Sequence, residues 1–166
     1  MRPLLAPLAA ALTLLCSTYA PAEVKPGSRP LDFQGKTTQG EPFRLAQLRG
    51  KVVLIDFWAS WCEPCKKELP LLHQMAQRLR GQGIEIVTIN IDDDPANAQA
   101  FMRQKRLEGL TVVADTDKHI VDKFEPPKMP SSFLLDKNGV VRAVNAGFDE
   151  GDEAKLEQQL KGLADK

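Results

Sequence analysis

Cys62 and Cys65 stand two residues apart in the run Trp61-Cys62-Glu63-Pro64-Cys65. On a helix, this spacing puts both thiols on one face and within disulfide reach. At a helix start, the positive end of the macrodipole stabilises the first thiol as a thiolate. A thiolate attacks disulfides, and a second thiol one turn on resolves the mixed disulfide. A plainer reading is half of a zinc site. A structural zinc takes four ligands, there is no second cysteine pair, and nothing places the only histidines, His73 and His119, beside the first. No metal is therefore expected. A purely structural disulfide is the other plain reading. An apolar run directly before the pair and a helical pattern after it count against that.

Two carboxylates are candidates for moving the proton of the second thiol. Asp56 interrupts the apolar run six residues before Cys62. Large apolar neighbours on both sides predict burial, against the alternative of a strand-end residue facing water. A buried carboxyl has a raised pKa and exchanges protons near neutrality. Glu68 follows Cys65 by three residues, on the cysteine face of the helix, and competes for the same role. Glu63, between the cysteines, is expected to be exposed and to tune charge and partner choice. Trp61 is expected to form an apolar rim for partners, and Trp58 to pack inside.

The elements that must hold these residues follow from periodicity. Val52–Trp58 is apolar but for Asp56, as in a strand covered on both faces. Leu69, Leu72, Ala76 and Leu79 recur at threes and fours after Cys65, an amphipathic helix stopped by Gly81. Pro70 falls inside it and should kink it. Residues 84–91 read as a second central strand. Asp94-Pro95 opens a helix with a cap and a first-turn proline; it runs to Arg106, and Gly109 closes it. Residues 111–113 read as a short strand and 117–124 as a short helix. Residues 132–136 and 140–145 flank Lys137-Asn138-Gly139, a hairpin signal. Residues 149–163 form a last helix. Upstream, residues 31–44 hold two weak strands around Thr38-Gln39-Gly40, and residues 46–49 a helical turn. This order predicts an α/β domain, a central mixed β-sheet flanked by helices.

The N-terminus bears on location. Arg2 precedes an apolar stretch at residues 4–15, and Ala20-Pro21-Ala22 offers the small residues a signal peptidase reads. The stretch is shorter than the roughly 20 residues that span a bilayer. Residues 1–22 are read as a signal peptide, 23–30 as a polar tether and 31–166 as one folded domain. Cleavage after Ala22 removes Cys16, leaves a single pair of thiols and delivers a periplasmic protein. Lysine plus arginine total 22, as do aspartate plus glutamate. With that balance no nucleic-acid or membrane attraction is expected, and the chain is read as a monomer.

The segment Phe57-Trp58-Ala59-Ser60-Trp61-Cys62-Glu63-Pro64-Cys65-Lys66-Lys67-Glu68-Leu69-Pro70 resembles the active-site segment of the TlpA/ResA-like thioredoxin-fold proteins. Met129-Pro130-Ser131-Ser132-Phe133-Leu134-Leu135-Asp136 resembles their second signature, a cis-proline loop running into a strand. The resemblance implies a thioredoxin-like fold with an N-terminal β-hairpin and a central insertion. It implies an extracytoplasmic thiol-disulfide oxidoreductase, commonly a reductase, with cytochrome c maturation among the tasks of such proteins. It implies a cis Met129–Pro130 bond facing the disulfide. Trp61, Glu63, Pro64, Met129 and Pro130 are then the client-binding set. Thioredoxins carry an aspartate matching Asp56, and ResA-like proteins a glutamate matching Glu68. This chain has both, a departure from either pattern. No bound cofactor is implied. Clients are disulfide-bonded proteins, and electrons come from a membrane donor of the DsbD/CcdA type.

Three alternatives use the same residues. A disulfide oxidase or isomerase runs the chemistry in the other direction. A peroxidase would need a separate peroxidatic cysteine environment. A copper-binding chaperone of similar fold would want a longer gap between the cysteines and a histidine near the cis-proline loop.

Overall fold

The computed structural model describes residues 24–30 and 32–166. The expectations placed on residues 1–22, including Cys16, lie outside the described residues. Chain order runs β1 (Gln34–Thr37), β2 (Pro42–Arg44), a 3-10 turn (Leu45–Leu48), β3 (Val52–Trp58), α1 (Glu63–Arg78) and β4 (Ile84–Asn90). It continues with α2 (Pro95–Lys105), β5 (Thr111–Ala114), α3 (Val121–Phe124), β6 (Ser131–Leu135), β7 (Val141–Ala146) and α4 (Asp152–Ala164). The strands form one mixed sheet in the order β2-β1-β5-β4-β3-β6-β7. β3 and β5 lie parallel to β4, and the other pairings are antiparallel.

All seven residues of β3 are buried, because it lies inside the sheet and both its faces are covered. Side chains alternate along a strand. Val52, Leu54 and Trp58 join the core that contains Cys62, Cys65, Leu69 and Leu72. Val53, Ile55 and Phe57 join the core on the other face, with Phe33, Phe43, Phe124 and Phe133. By the same alternation Asp56 projects toward the α1 face, under the cysteines. Phe33, Phe57, Phe124 and Phe133 meet edge-on or tilted at 5.1 to 5.9 Å, which ties the N-terminal segment and α3 to the sheet. Pro70 sits inside α1, and the helix continues through it to Arg78.

Three stretches differ from expectation. The helix expected over residues 117–124 is shortened to Val121–Phe124. Buried Asp115 accepts from the N–H groups of Ile120 and Val121 at 3.0 and 2.8 Å, and Lys118 turns the chain at φ +62°. The last helix begins at Asp152 rather than 149, because Gly151 at φ +93° cannot lie inside an α-helix. The segment read as a tether is packed where it is described. Val24 is buried, the Gly27 N–H donates to the Val141 carbonyl at 2.8 Å, and the Val141 N–H donates to the Ser28 carbonyl at 2.9 Å.

Candidate redox site

β3 delivers the chain to the site, and the loop after Trp58 turns it into α1. The Cys62 N–H donates to the Ala59 carbonyl at 3.1 Å, and Cys62 becomes the N-cap of α1. Pro64 in the first turn costs no helical hydrogen bond. Cys62 and Cys65 form a disulfide with their Cα atoms 5.3 Å apart. The Cys62 sulfur accepts from the Cys65 N–H at 3.3 Å, the contact that holds a thiolate at a helix start. The sulfurs are not equivalent. Cys62 is 5% exposed and Cys65 has no exposure.

Around the pair, Glu63 and Pro64 are exposed, and Trp61 is the one exposed large hydrophobic residue among the described residues, at 63% exposure. Trp58 is buried, and its indole N–H donates to Thr88 Oγ1 at 3.1 Å. The hydrogen bond and ion pair from Lys66, 2.7 Å away, hold the Glu63 carboxyl below its ordinary range, so it is ionised at neutral pH. The Met129–Pro130 bond is cis. Met129 packs against the core that holds both cysteines, and the Pro130 carbonyl accepts from the Gly147 N–H at 2.7 Å. Gly147 and the loop after β7 are thereby fixed to the cis-proline loop.

Behind the disulfide lie two buried acids. Asp56 has no exposure, and neither carboxyl oxygen has a hydrogen-bond partner. Burial, then the charge of Glu68, pushes its carboxyl well above the usual range. Glu68 is 3% exposed, and its Oε2 is unpartnered. Burial, then the charge of Asp152, pushes it to about 8. With the disulfide formed, both groups hold protons at neutral pH. They can donate when a sulfur leaves as thiolate and accept when a thiol must ionise.

Two contributors were not singled out in the sequence. Asp92, buried at the end of β4, accepts from the Ser60 N–H at 3.0 and 3.2 Å, from the Ser60 hydroxyl at 3.0 Å and from the Asn90 amide at 2.9 Å. It pins the loop that presents Cys62. The sequence signal was the run Asp92-Asp93-Asp94, of which only Asp94 reads as a helix cap. Asp152, whose charge acts on Glu68, comes from the last helix, far away in sequence. His73 bonds the Glu108 carbonyl and His119 lies against Asp117. Among the described residues, the one cluster with metal-ligand types, Asp115, Asp117 and His119, includes neither cysteine.

Comparisons with known proteins agree with this geometry. Residues 26–144 match the AhpC/TSA family. The thiol-disulfide oxidoreductase ResA of Bacillus subtilis (strain 168) is 33% identical over 136 residues, 81% of this chain and 75% of that protein. A Chlorobium tepidum chain assigned as the thiol:disulfide interchange protein DsbE superposes with a TM-score of 0.80 at 33% identity, covering 86% of this chain and 99% of that one. A secreted Mycobacterium tuberculosis disulfide oxidoreductase, homologous to DsbE of E. coli, has a TM-score of 0.67 at 26% identity, covering 79% and 96%.

Proposed function

The chain belongs to the AhpC/TSA thioredoxin-fold family and is a thiol-disulfide oxidoreductase of the ResA/DsbE type, and we propose that it works as a reductase of client disulfides in the periplasm. The observation that carries this reading is the asymmetry of the pair, with Cys62 at the N-cap of α1 and Cys65 fully buried one turn further in, in a protein that also buries two acids with unpartnered oxygens. In the reduced protein the Cys62 thiolate attacks one sulfur of a client disulfide. That bond breaks, and a mixed disulfide to Cys62 forms as one client thiolate leaves. Cys65 gives its proton to the Asp56 or Glu68 carboxylate. Its sulfur then attacks Cys62 Sγ, the second client thiolate leaves, and the Cys62–Cys65 disulfide remains. On the return, a donor thiolate attacks Cys62, and Cys65 departs taking a proton from the same acids. The donor dithiol supplies two electrons and becomes a disulfide. A membrane donor of the DsbD/CcdA type fits that need. Apocytochrome c is one client that fits, and the chain acts as a monomer after removal of residues 1–22. Trp61, Glu63, Pro64, Met129 and Pro130 form the surface the client meets.

Direction follows from the charges. A strong oxidant depends on a well-stabilised thiolate. Here Glu63 is ionised beside Cys62, and Cys65 lies in an apolar core. Equilibration with glutathione or dithiothreitol buffers is expected to give a potential nearer to about −270 mV than to about −120 mV. A value above about −150 mV would overturn the reductase reading in favour of an oxidase. A Cys65→Ala variant stalls at the mixed disulfide, and the proteins it captures identify the clients.

A further inference from the structure

The buried acids pose a problem of access. Cys65 and Asp56 have no exposure and Glu68 has 3%, so a proton passed among them still has to equilibrate with water. A cavity of about 230 Å³ reaches Glu68 from outside, lined also by Ser132, Asn145, Asp152, Lys155 and Gln159. That volume has room for several waters. The cavity offers what a water chain requires. Glu68 carries an oxygen with no protein partner. The Asn145 side-chain amide donates to Gln159 Oε1 at 3.3 Å, joining the β7 and α4 walls. Asp152 is half-exposed and Lys155 is exposed, which places the mouth at the first turn of α4. Four other cavities are lined by none of Cys65, Asp56 and Glu68.

We propose that protons pass between the Asp56–Glu68 pair and solvent through this cavity, with Asp152 at its mouth as a positioning residue. The proposal rests on the acid–base reading of the pair. From α4, Asp152 and Lys155 face the cavity. From β6 and β7 only uncharged residues do so, Ser132, Val144, Asn145 and Ala146. From β3, Asp56 feels the charge of Glu68 but does not line the cavity, and the Lys128 side chain crosses Gly147, which does. The charge of the mouth that acts on Glu68 is thus an anion that opposes its ionisation, with Lys155 out in solvent, where its charge is screened. The Asp152 carboxylate is held in place by accepting from the Asp149 N–H at 2.9 Å. In the oxidised protein the proton that Cys65 has yielded to the pair exchanges with water through the cavity, and the carboxylate left in the reduced protein meets solvent protons by the same path.

Infrared spectroscopy of the oxidised protein tests the route. The carboxylic-acid band lost in Glu68→Gln identifies Glu68, and its shift after mixing with heavy water reports exchange. Asn145→Leu makes the passage apolar and is expected to slow that exchange at least tenfold; Gln159→Leu does the same from the α4 wall and serves if the first variant fails to fold. Asp152→Asn removes the like charge and is expected to move the pH midpoint of the Glu68 band down by about half a unit or more. A Glu68 band that exchanges at the wild-type rate in both leucine variants, with its midpoint unmoved in Asp152→Asn, overturns the route and leaves the acid–base reading standing. A wild-type protein with no Glu68 acid band at pH 7 overturns both.

Discussion

The two sulfurs of one disulfide sit in different solvents, and reactivity should follow that difference. Cys62 caps α1 with a little exposure, and Cys65 is sealed one turn further in. After reduction, limited alkylation followed by mass mapping is expected to label Cys62 first, and Cys62→Ser to abolish insulin reduction. Labelling of Cys65 first would reverse the roles. Glu68 gives a second prediction. Its carboxyl, raised to about 8, is a proton donor below that pH and a spent acid above it. The rate of re-reduction, expressed per attacking thiolate, is therefore expected to fall as pH rises through about 8. Glu68→Gln is expected to remove that inflection and to slow the step roughly tenfold or more. A profile with the same inflection in the variant would assign it to Asp56 instead. The cysteines, Asp56 and Glu68 were legible in the sequence because residue type and helical or strand period place them without knowledge of the fold. Asp92 and Asp152 were not. Each acts through a partner that only the folded chain brings near, Ser60 for one and Glu68 for the other.

At the scale of elements, the redox loop is held by a strand end rather than by its own sequence. Ser60 gives its N–H and its hydroxyl to Asp92 at the C-terminal end of β4. Asp92→Ala leaves those donors without partners in a mostly buried place, a loss of about 1–3 kcal/mol. Urea unfolding is expected to show that loss. Hydrogen exchange should quicken at the Ser60 and Cys62 amides and stay unchanged at Leu72 in the middle of α1. Equal protection of Ser60 in the variant would mean that the loop holds itself. The same distinction explains which elements were readable in advance. β3, β4, α1 and α2 carry strong apolar periods or caps of their own, and they match expectation to within a few residues. α3 begins four residues later than its composition suggests, since the remote side chain of Asp115 sets its start. The stretch at residues 24–30 looks like a linker, and two of its backbone hydrogen bonds join it to Val141, over a hundred positions away.

For the whole molecule, balanced charge leaves the buried acids to set the pH dependence of stability around neutrality. Lysine plus arginine equal aspartate plus glutamate, so no large net repulsion changes between pH 6 and 9. Glu157, Asp93 and Asp117 are held below their ordinary range by bonds to Arg78, Lys118 and His119. Stability from such depressed groups is complete above their unfolded values and is lost only in acid. Glu68 has the opposite sign. Its folded value of about 8 lies above the ordinary 4.5, so the folded state binds the extra proton between those limits. The stability linked to that proton is complete below about 4.5 and is lost as pH rises through about 8. Each pH unit in the interval removes about 1.4 kcal/mol per proton. His119, raised by its bond to Asp117, loses stability in the same direction as pH rises above the ordinary imidazole range. A fall in wild-type stability alone would therefore not single out Glu68. The difference between wild type and Glu68→Gln does, because His119 is common to both. In denaturant unfolding of the oxidised proteins, the variant is expected to gain on wild type by at least about 1 kcal/mol between pH 6 and pH 9. A constant difference across that range would show that Glu68 titrates in the folded protein as an ordinary exposed acid, and the buried proton store behind Cys65 would reduce to Asp56.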